Sequence, residues 1–499
     1  MRKTRLYRLQ MVQLVAFSAA LVLPTLAGDE LKPRDLTPVT WLTAPVHAPV
    51  ELARNGTARA VIFVADPKPS ATLTRLVDEL LEVVRLSTGA TFERVFEPPA
   101  VDQPAIVIGD CEETRQAGID AATLPFEGFV VKTAPNRVYL VGSTQALPTG
   151  SNRWAYWASE GTAWAVADFL ERFVGVRWYW PTDLGGRTLV THASLVIPPV
   201  AYQDQPVFRQ RLFHPKAGWP LPQNARWFDK EPLPFAPGAI PDDVAKVDMA
   251  DYLPLVREGN SWPYQVKVHE PQKLWKQWES KWSKHPELHD MFQQKADGTP
   301  HLSMLCYSST NTLAYLLQGC EDAWDRGSGW TYGPVQYPHL VCEFYRTNRT
   351  VLAGTFINGG IMADWTTSAP TLYVWMKALW NPELDVDAVL DAMCRRLYGQ
   401  AGGTVRELIR LQCARWDTVK GGLADQGRIP PAMYQKIWPP DVVVQMMALR
   451  DKARVELADD PVGRQRFLYW TWTFDGFLAE AKGSETNQPA DGEWTPAGQ

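Results

Sequence analysis

Long Lys/Arg runs are missing from this 499-residue chain. Its 50 Lys and Arg are outnumbered by 55 Asp and Glu, giving a formal net charge of -5, and no basic amphipathic stripe stands out. Sequence-independent phosphate binding needs such a stripe, so no nucleic-acid partner is expected. Cysteine is scarce and scattered: Cys111, Cys306, Cys320, Cys342, Cys394 and Cys413, with no CxxC. A disulfide framework is not implied; buried free thiols are, with at most an incidental bridge. There is no Gly-rich phosphate loop, no GxSxG elbow and no Cys–His arrangement, so no cofactor is implied. His285 and His289 are one helical turn apart, but Pro286 takes the place of a zincin's glutamate, and no metal is expected. Internal repeats and low-complexity segments are absent too. After residue 28 no apolar run is long enough to cross a bilayer.

What is present begins with a leader. Arg2, Lys3, Arg5 and Arg8 precede an apolar stretch from Met11 to Leu23, followed by small residues at Pro24 to Gly28. That is the three-part pattern of a secretory signal over residues 1–28. The alternative, an uncleaved anchor, is poorly served by so short a run, which Gln13 interrupts. No cysteine follows for lipid attachment. The mature protein is expected to start near Asp29, to be secreted or periplasmic, and to have no membrane contact once the signal is removed.

Residues 45–200 read as a compact α/β unit. Ala60 to Val64 and Ala105 to Ile108 are strands. Ser70 opens a helix with Leu73, Leu76, Val77, Leu80, Leu81 and Val84 on one face, stopped by Gly89. Phe129 to Lys132 and Val138 to Val141 flank a hairpin turn at Ala134-Pro135-Asn136. Val166, Phe169, Leu170, Phe173 and Val174 mark a helix stopped by Gly175. After Pro198-Pro199 the texture becomes rich in Pro and Trp. Val207 to Phe213 reads as a strand, Leu340 to Val351 as a helix and Ala353 to Ile357 as a strand. Helices are also expected around Trp275, Trp278 and Trp282, and over Leu313 to Trp324. Residues 373–482 read as helical, with Asp385 and Asp387 near one helix start and a last helix from Phe467 to Ala481. Residues 483–499 read as a disordered tail.

The stretch Gly161 to Pro181, GTAWAVADFLERFVGVRWYWP, carries a resemblance. It looks like the final helix and exit strand of the accessory domain that precedes the barrel in α-glucuronidases and β-hexosaminidases. More closely, it resembles the family of domain of unknown function 4838, which carries such an N-terminal domain. PVFRQR at Pro206 to Arg211 resembles that family's barrel entry strand. HPE at His285 to Glu287 and MLCYS at Met304 to Ser308 resemble its next landmarks. LYVWMKALWNPELDVD at Leu372 to Asp387 and RRLYG at Arg395 to Gly399 resemble its closing helices. The resemblance implies a two-layer α/β accessory domain over 45–200, a (β/α)-barrel-like region over 201–372, and C-terminal helices. A barrel of this kind takes about 250 residues. The interval after Cys306 holds only a helix and GSGWTYGP at Gly327 to Pro334, so the barrel region is expected to be internally shortened and incomplete.

The resemblance points to a glycoside-hydrolase-like protein, with an oligosaccharide or polysaccharide as partner. Glycoside hydrolysis uses two carboxylates about 5 to 9.5 Å apart across the bond. Barrel chemistry sits at the C-terminal ends of strands. Asp364, just after Ala353 to Ile357, and Glu270, after Tyr264 to Val268, fit that location; each also reads as an ordinary loop or surface acid. Sugar rings stack on aromatic faces, and the chain has 22 Trp. Trp178, Trp180, Trp262 and Trp365 are the candidate platforms, with core packing as the competing reading. Three readings stay open: a working hydrolase, a noncatalytic carbohydrate-binding relative, and a misassembled product whose central sheet has open edges. Asn55-Gly-Thr57 and Asn348-Arg-Thr350 match a glycosylation pattern.

Overall fold

The computed structural model describes residues 33–148, 156–182, 185–213, 219–221, 245–247, 251–258, 336–350, 352, 354–357, 364–417 and 437–471. They form a mixed α/β protein. The signal segment, the tail, and the helices expected around Trp275 and over Leu313 to Trp324 lie outside the described residues.

A seven-stranded sheet organises the N-terminal unit. Its spatial order is β1 (Thr40–Trp41), β14 (Ala201–Asp204), β7 (Phe129–Ala134), β8 (Arg137–Gly142), β6 (Ala105–Ile108), β4 (Val61–Val64) and β5 (Arg94–Val95). The run β8-β6-β4-β5 is parallel, and the remaining pairings are antiparallel. The sheet therefore draws β1 and β14 from outside the 45–200 window. Strand alternation sorts its two faces. Ile62, Val64, Ile106, Ile108, Val131 and Leu140 face the main core, while Val61, Phe63, Val107, Tyr139 and Val141 face a second cluster with Ile119 and Leu124. Beside this sheet, β2 (Val50–Arg54) pairs with β3 (Thr57–Ala58) and β13 (Ser194–Ile197).

Local chemistry sets the helices. α1 (Ala71–Thr88) starts where the Ser70 hydroxyl accepts the Leu73 N–H at 3.0 Å, and it ends at Gly89, whose φ of 74° is left-handed. α2 (Glu112–Gln116) is short. α3 (Gly161–Phe169) is almost wholly buried and runs into a π-turn, Leu170–Val174, closed by Gly175 at φ 81°. The start of α3 touches the sheet backbone directly. A Cβ on Gly142 would lie 1.8 Å from Thr162 N, and one on Gly161 would lie 2.3 Å from Gly128 O. Only hydrogen fits there.

Short antiparallel pairs follow: β9 (Ala146–Pro148) with β10 (Tyr156–Ala158), β11 (Arg177–Trp178) with β12 (Arg187–Thr188), and β16 (Trp219–Leu221) with β17 (Ala245–Val247). Beyond the main sheet, β15 (Gln210–Phe213) pairs in parallel with β18 (Gly354–Ile357). The expected strand from Val207 starts only at Gln210 for a clear reason. The N–H groups of Val207 and Phe208 are used to cap the carbonyls of Trp380 and Leu379, at 2.7 and 3.3 Å.

The helical part comprises α4 (Pro338–Asn348), α5 (Asp364–Trp380), α6 (Val386–Tyr398), α7 (Gly402–Asp417), α8 (Pro440–Glu456) and a helix over 461–471. Expected to begin at Leu340, α4 begins at Pro338, where proline's fixed φ suits the first turn. Asp385 caps α6 by accepting Ala388 N–H at 3.0 Å. Among the described residues, no helix is long and apolar enough to cross a membrane.

Candidate functional site

Glu270 and Trp262 lie outside the described residues. Asp364 and Trp365 open α5, beyond the C-terminal end of β18; the description of these two stops at the backbone. Trp178 and Trp180 are fully buried. The Trp178 indole N–H donates to Glu79 Oε1 at 2.8 Å. Trp180 packs on Tyr469, with ring centroids 5.9 Å apart. Neither ring offers a face to a sugar, because each is enclosed on all sides by core; the packing reading applies to both. Asn55 stands in the exposed β2–β3 turn with φ 47°, whereas Asn348 is buried and donates to Phe344 O at 2.9 Å.

What the structure does bring together is a buried ionic seam between the N-terminal unit and α5. Asp168 and Glu171, on α3 and its π-turn, supply the anions. Arg257 donates from one nitrogen to both, at 3.0 and 2.8 Å. Arg172 and the Tyr202 hydroxyl also bond Asp168, at 3.1 and 2.6 Å. Lys377 Nζ reaches Glu171 Oε1 at 2.5 Å from α5. Burial disfavours charge on Asp168, but Arg172 and Arg257 overcome it and hold the acid well below the carboxylate range. Burial draws Lys377 down to about 8, with Glu171 opposing.

Arg211, on β15, extends the seam. Its guanidinium lies 5.2 Å from the Trp380 ring centre and 6.0 Å from that of Trp164. It pairs with Glu127 Oε2 at 2.9 Å and donates to the carbonyls of Arg257 and Phe208. Glu258 sits near Arg211, Glu127 and Lys377 with neither oxygen hydrogen-bonded; burial pushes its carboxyl well up, against the pull of Arg211 and Lys377. Left-handed backbone is concentrated here. Apart from the two turn asparagines, Asn55 and Asn136, the described non-glycine residues with positive φ are Glu127 at 60° and Arg257 at 63°. Such strain persists only where the surroundings over-determine it.

The chemistry of this seam is attachment. Its acids and bases are sealed from solvent, so it fixes β15 against α3 and α5 rather than meeting a substrate. A second feature is an open cleft of about 480 Å³ between α4 and the α5–α6 turn, lined by His339, Cys342, Glu343, Arg346, Asp385 and Asp387. His339 Nε2 meets Asp387 Oδ1 at 3.1 Å, and Arg346 bonds Glu343 at 2.7 Å. The Cys342 thiol donates to Pro382 O, and burial pushes it up to about 11, so it is no nucleophile. Among the described residues there is no group of three metal-ligating side chains.

The seam escaped the sequence reading, although it left a trace. Asp168, Glu171, Arg172 and Lys377 interrupt otherwise apolar helical stretches. A charge on the buried face of a helix calls for a partner elsewhere.

No family model and no curated protein matches the chain. Several solved structures do, and they are glycoside hydrolases. A mutant Streptomyces plicatus β-hexosaminidase in complex with its product GlcNAc is 13% identical with a TM-score of 0.22, over 37% of this chain and 29% of that one. The β-N-acetylhexosaminidase from Bacteroides fragilis is 15% identical with a TM-score of 0.20, over 36% and 25%. A family GH115 4-O-methyl-α-glucuronidase with specificity for decorated arabinogalactans is 12% identical with a TM-score of 0.45, over 85% and 73%. The chain thus spans less than a third of the length of these two hexosaminidases.

Proposed function

We propose that the chain is an exported glycoside-hydrolase-like protein of carbohydrate metabolism that takes an oligosaccharide as its partner. The observation that carries this reading is the parallel pairing of β15 with β18. In a closed (β/α) barrel the first and last strands must be parallel neighbours. Here the strand that follows the N-terminal unit meets the strand that precedes α5. The segment resembling the barrel entry, Pro206 to Arg211, runs into β15, and the segment resembling the closing helices, Leu372 to Asp387, follows β18.

Barrel chemistry would sit beyond Phe213 and Ile357, the C-terminal ends of those strands. Asp364 follows on that side and remains the proposed catalytic carboxylate, with Glu270 as its proposed partner. Trp262 and Trp365 are the proposed sugar platforms. The accessory unit, spanning the main sheet, would hold the entry strand in place through Arg211 and the seam.

The test pairs turnover on a panel of aryl glycosides and oligosaccharides with calorimetric binding. Binding with weak or no turnover is the expected result; robust turnover abolished by Asp364→Asn or Glu270→Gln would instead reveal a complete catalytic site. Binding with no turnover selects the noncatalytic reading, and the absence of both overturns the proposal.

A further inference from the structure

Two asparagines turn hairpins with positive φ, and their surroundings differ. β2 and β3 are joined by Asn55 and Gly56, with φ 47° and 76°, between the cross-strand partners Arg54 and Thr57. Positive φ at both positions is the signature of the tightest hairpin loop, and Asn-Gly is a preferred sequence for it. Both residues are exposed. Among the described residues the Asn55 carboxamide makes no hydrogen bond. A Cβ on Gly56 would meet nothing within 4 Å, so the peptide between the two residues is open to solvent.

The other described asparagines lack this combination. Asn136 precedes Arg137, and its amide donates to Asp102 O at 3.4 Å. Asn348 is buried in α4, precedes Arg349 and donates to Phe344 O at 2.9 Å. Asn381 donates to Pro38 O at 3.3 Å and precedes Pro382, whose nitrogen carries no hydrogen.

We propose that Asn55 is a site of spontaneous deamidation, which yields aspartate and isoaspartate and loosens the β2–β3 hairpin. This goes beyond the proposed function and does not rest on it. The Gly56 backbone nitrogen attacks Asn55 Cγ. A C–N bond forms, the Cγ–Nδ2 bond breaks, and the side-chain nitrogen leaves as ammonia with the proton given up by the Gly56 amide. The product is a five-membered succinimide. Water, the co-reactant, then adds to either of its carbonyls. One opening restores the normal backbone with an aspartate side chain; the other routes the backbone through Cγ as isoaspartate. Glycine at position 56 leaves the attacking nitrogen uncrowded. The peptide must rotate out of its turn to close the ring. The hairpin allows this, because β3 is only two residues long and the turn is its solvent-facing tip. Asn55 N–H donates to Ala193 O at 2.6 Å, just before β13. A Cβ on Gly89, the stop of α1, would come 3.6 Å from Gly56 Cα. Isoaspartate inserts a backbone atom between these two ties and shifts one against the other.

The experiment is prolonged incubation of the full chain in mildly alkaline buffer at physiological temperature, followed by peptide mapping. The chain unfolded in guanidinium chloride is incubated alongside as the reference. The Asn55 peptide of the native chain should gain the mass of water less that of ammonia and split into two products, isoaspartate in excess of aspartate. The Asn136, Asn348 and Asn381 peptides should stay unchanged. Asn358-Gly359 also pairs these residue types, lies outside the described residues and is resolved as its own peptide. A native Asn55 that stays intact while the unfolded chain converts overturns the proposal, because the turn then withholds ring closure. Aspartate without isoaspartate overturns it too, since that product bypasses the succinimide. So does a glycan on Asn55, which occupies the nitrogen that must leave. Separated by ion exchange, the isoaspartate form should melt below the unmodified chain, and an equal midpoint overturns the loosening. Asn55→Ser, which has no carboxamide, should form neither product at this position.

Discussion

Lys377 and Glu171 form a sealed ion pair, Nζ to Oε1 at 2.5 Å, between residues 206 apart in sequence. The pair joins the π-turn after α3 to the middle of the last turns of α5. Removing Lys377 strips the buried Glu171 of one of its two cationic partners and leaves it only Arg257. Lys377→Met should therefore cost about 3–5 kcal/mol. Adding Glu171→Gln to it should recover part of that loss. A double-mutant cycle in urea reads both numbers, and additive losses would show that the two groups do not interact.

The contact between α3 and the sheet sets a second expectation. Gly142→Ala and Gly161→Ala each force a methyl into backbone atoms 1.8 and 2.3 Å away. Losses of about 3 kcal/mol or more should follow, at the severe end of overpacking. Gly403 is the control. It lies in α7, and a Cβ there meets nothing within 4 Å. Gly403→Ala should stabilise by about 0.5–1 kcal/mol, because alanine suits a helix better than glycine. Chemical denaturation of the three variants makes the comparison.

Trp178 separates core from platform. Trp178→Phe keeps most of the ring but leaves Glu79 without its indole donor. Arg75 and Arg187 still bond that carboxylate, at 2.9 and 3.1 Å. Stability should drop by about 1–3 kcal/mol, while calorimetric affinity for any oligosaccharide ligand stays unchanged. A loss of affinity without a loss of stability would restore the residue to the sugar-binding set.

Thiol chemistry offers a further measurement. Cys342 and Cys394 are buried, and burial pushes them up to about 11 and about 12. The thiolate is the reactive form. In the native protein near pH 8, both should resist alkylation and react once the chain is unfolded. Peptide mapping after brief labelling identifies which cysteines are modified; native labelling at either position would contradict the burial.

The sequence made the local devices plain. Ser70 and Gly89 bracket α1, and Asn136 turns the β7–β8 hairpin at φ 60°, because caps and tight turns are decided by a few adjacent residues. Gly175 closes the π-turn as anticipated, but the extra residue in that turn was not visible, since α and π helices bury nearly the same faces. Trp178 and Trp180 misled because a bulky aromatic fills a core as readily as it lines a groove. The seam was the least visible part. Arg257 and Lys377 find Glu171 across 86 and 206 residues, and nothing near any of the three names its partner. The proposed carboxylate pair was readable only as two separate positions, Asp364 and Glu270.

Residues 33–39 tie the order of folding to the order of synthesis. Asp35 bonds Arg177, and the Thr37 carbonyl accepts from Arg172, both on the N-terminal unit. Arg34 and the Pro38 carbonyl instead bond Asp385 and Asn381, at the junction of α5 and α6. Arg34 and Asp385 are 351 residues apart. Contacts of such separation form late, because the loop they close must first be gathered in. A chain emerging from its N-terminus can set Asp35 and Thr37 against α3 and the strand after it early, leaving Arg34 and Pro38 open. That segment is completed only when α5 and α6 arrive, so it acts as a marker of finished assembly: a nascent chain shorter than about Asp385 should have it half-docked.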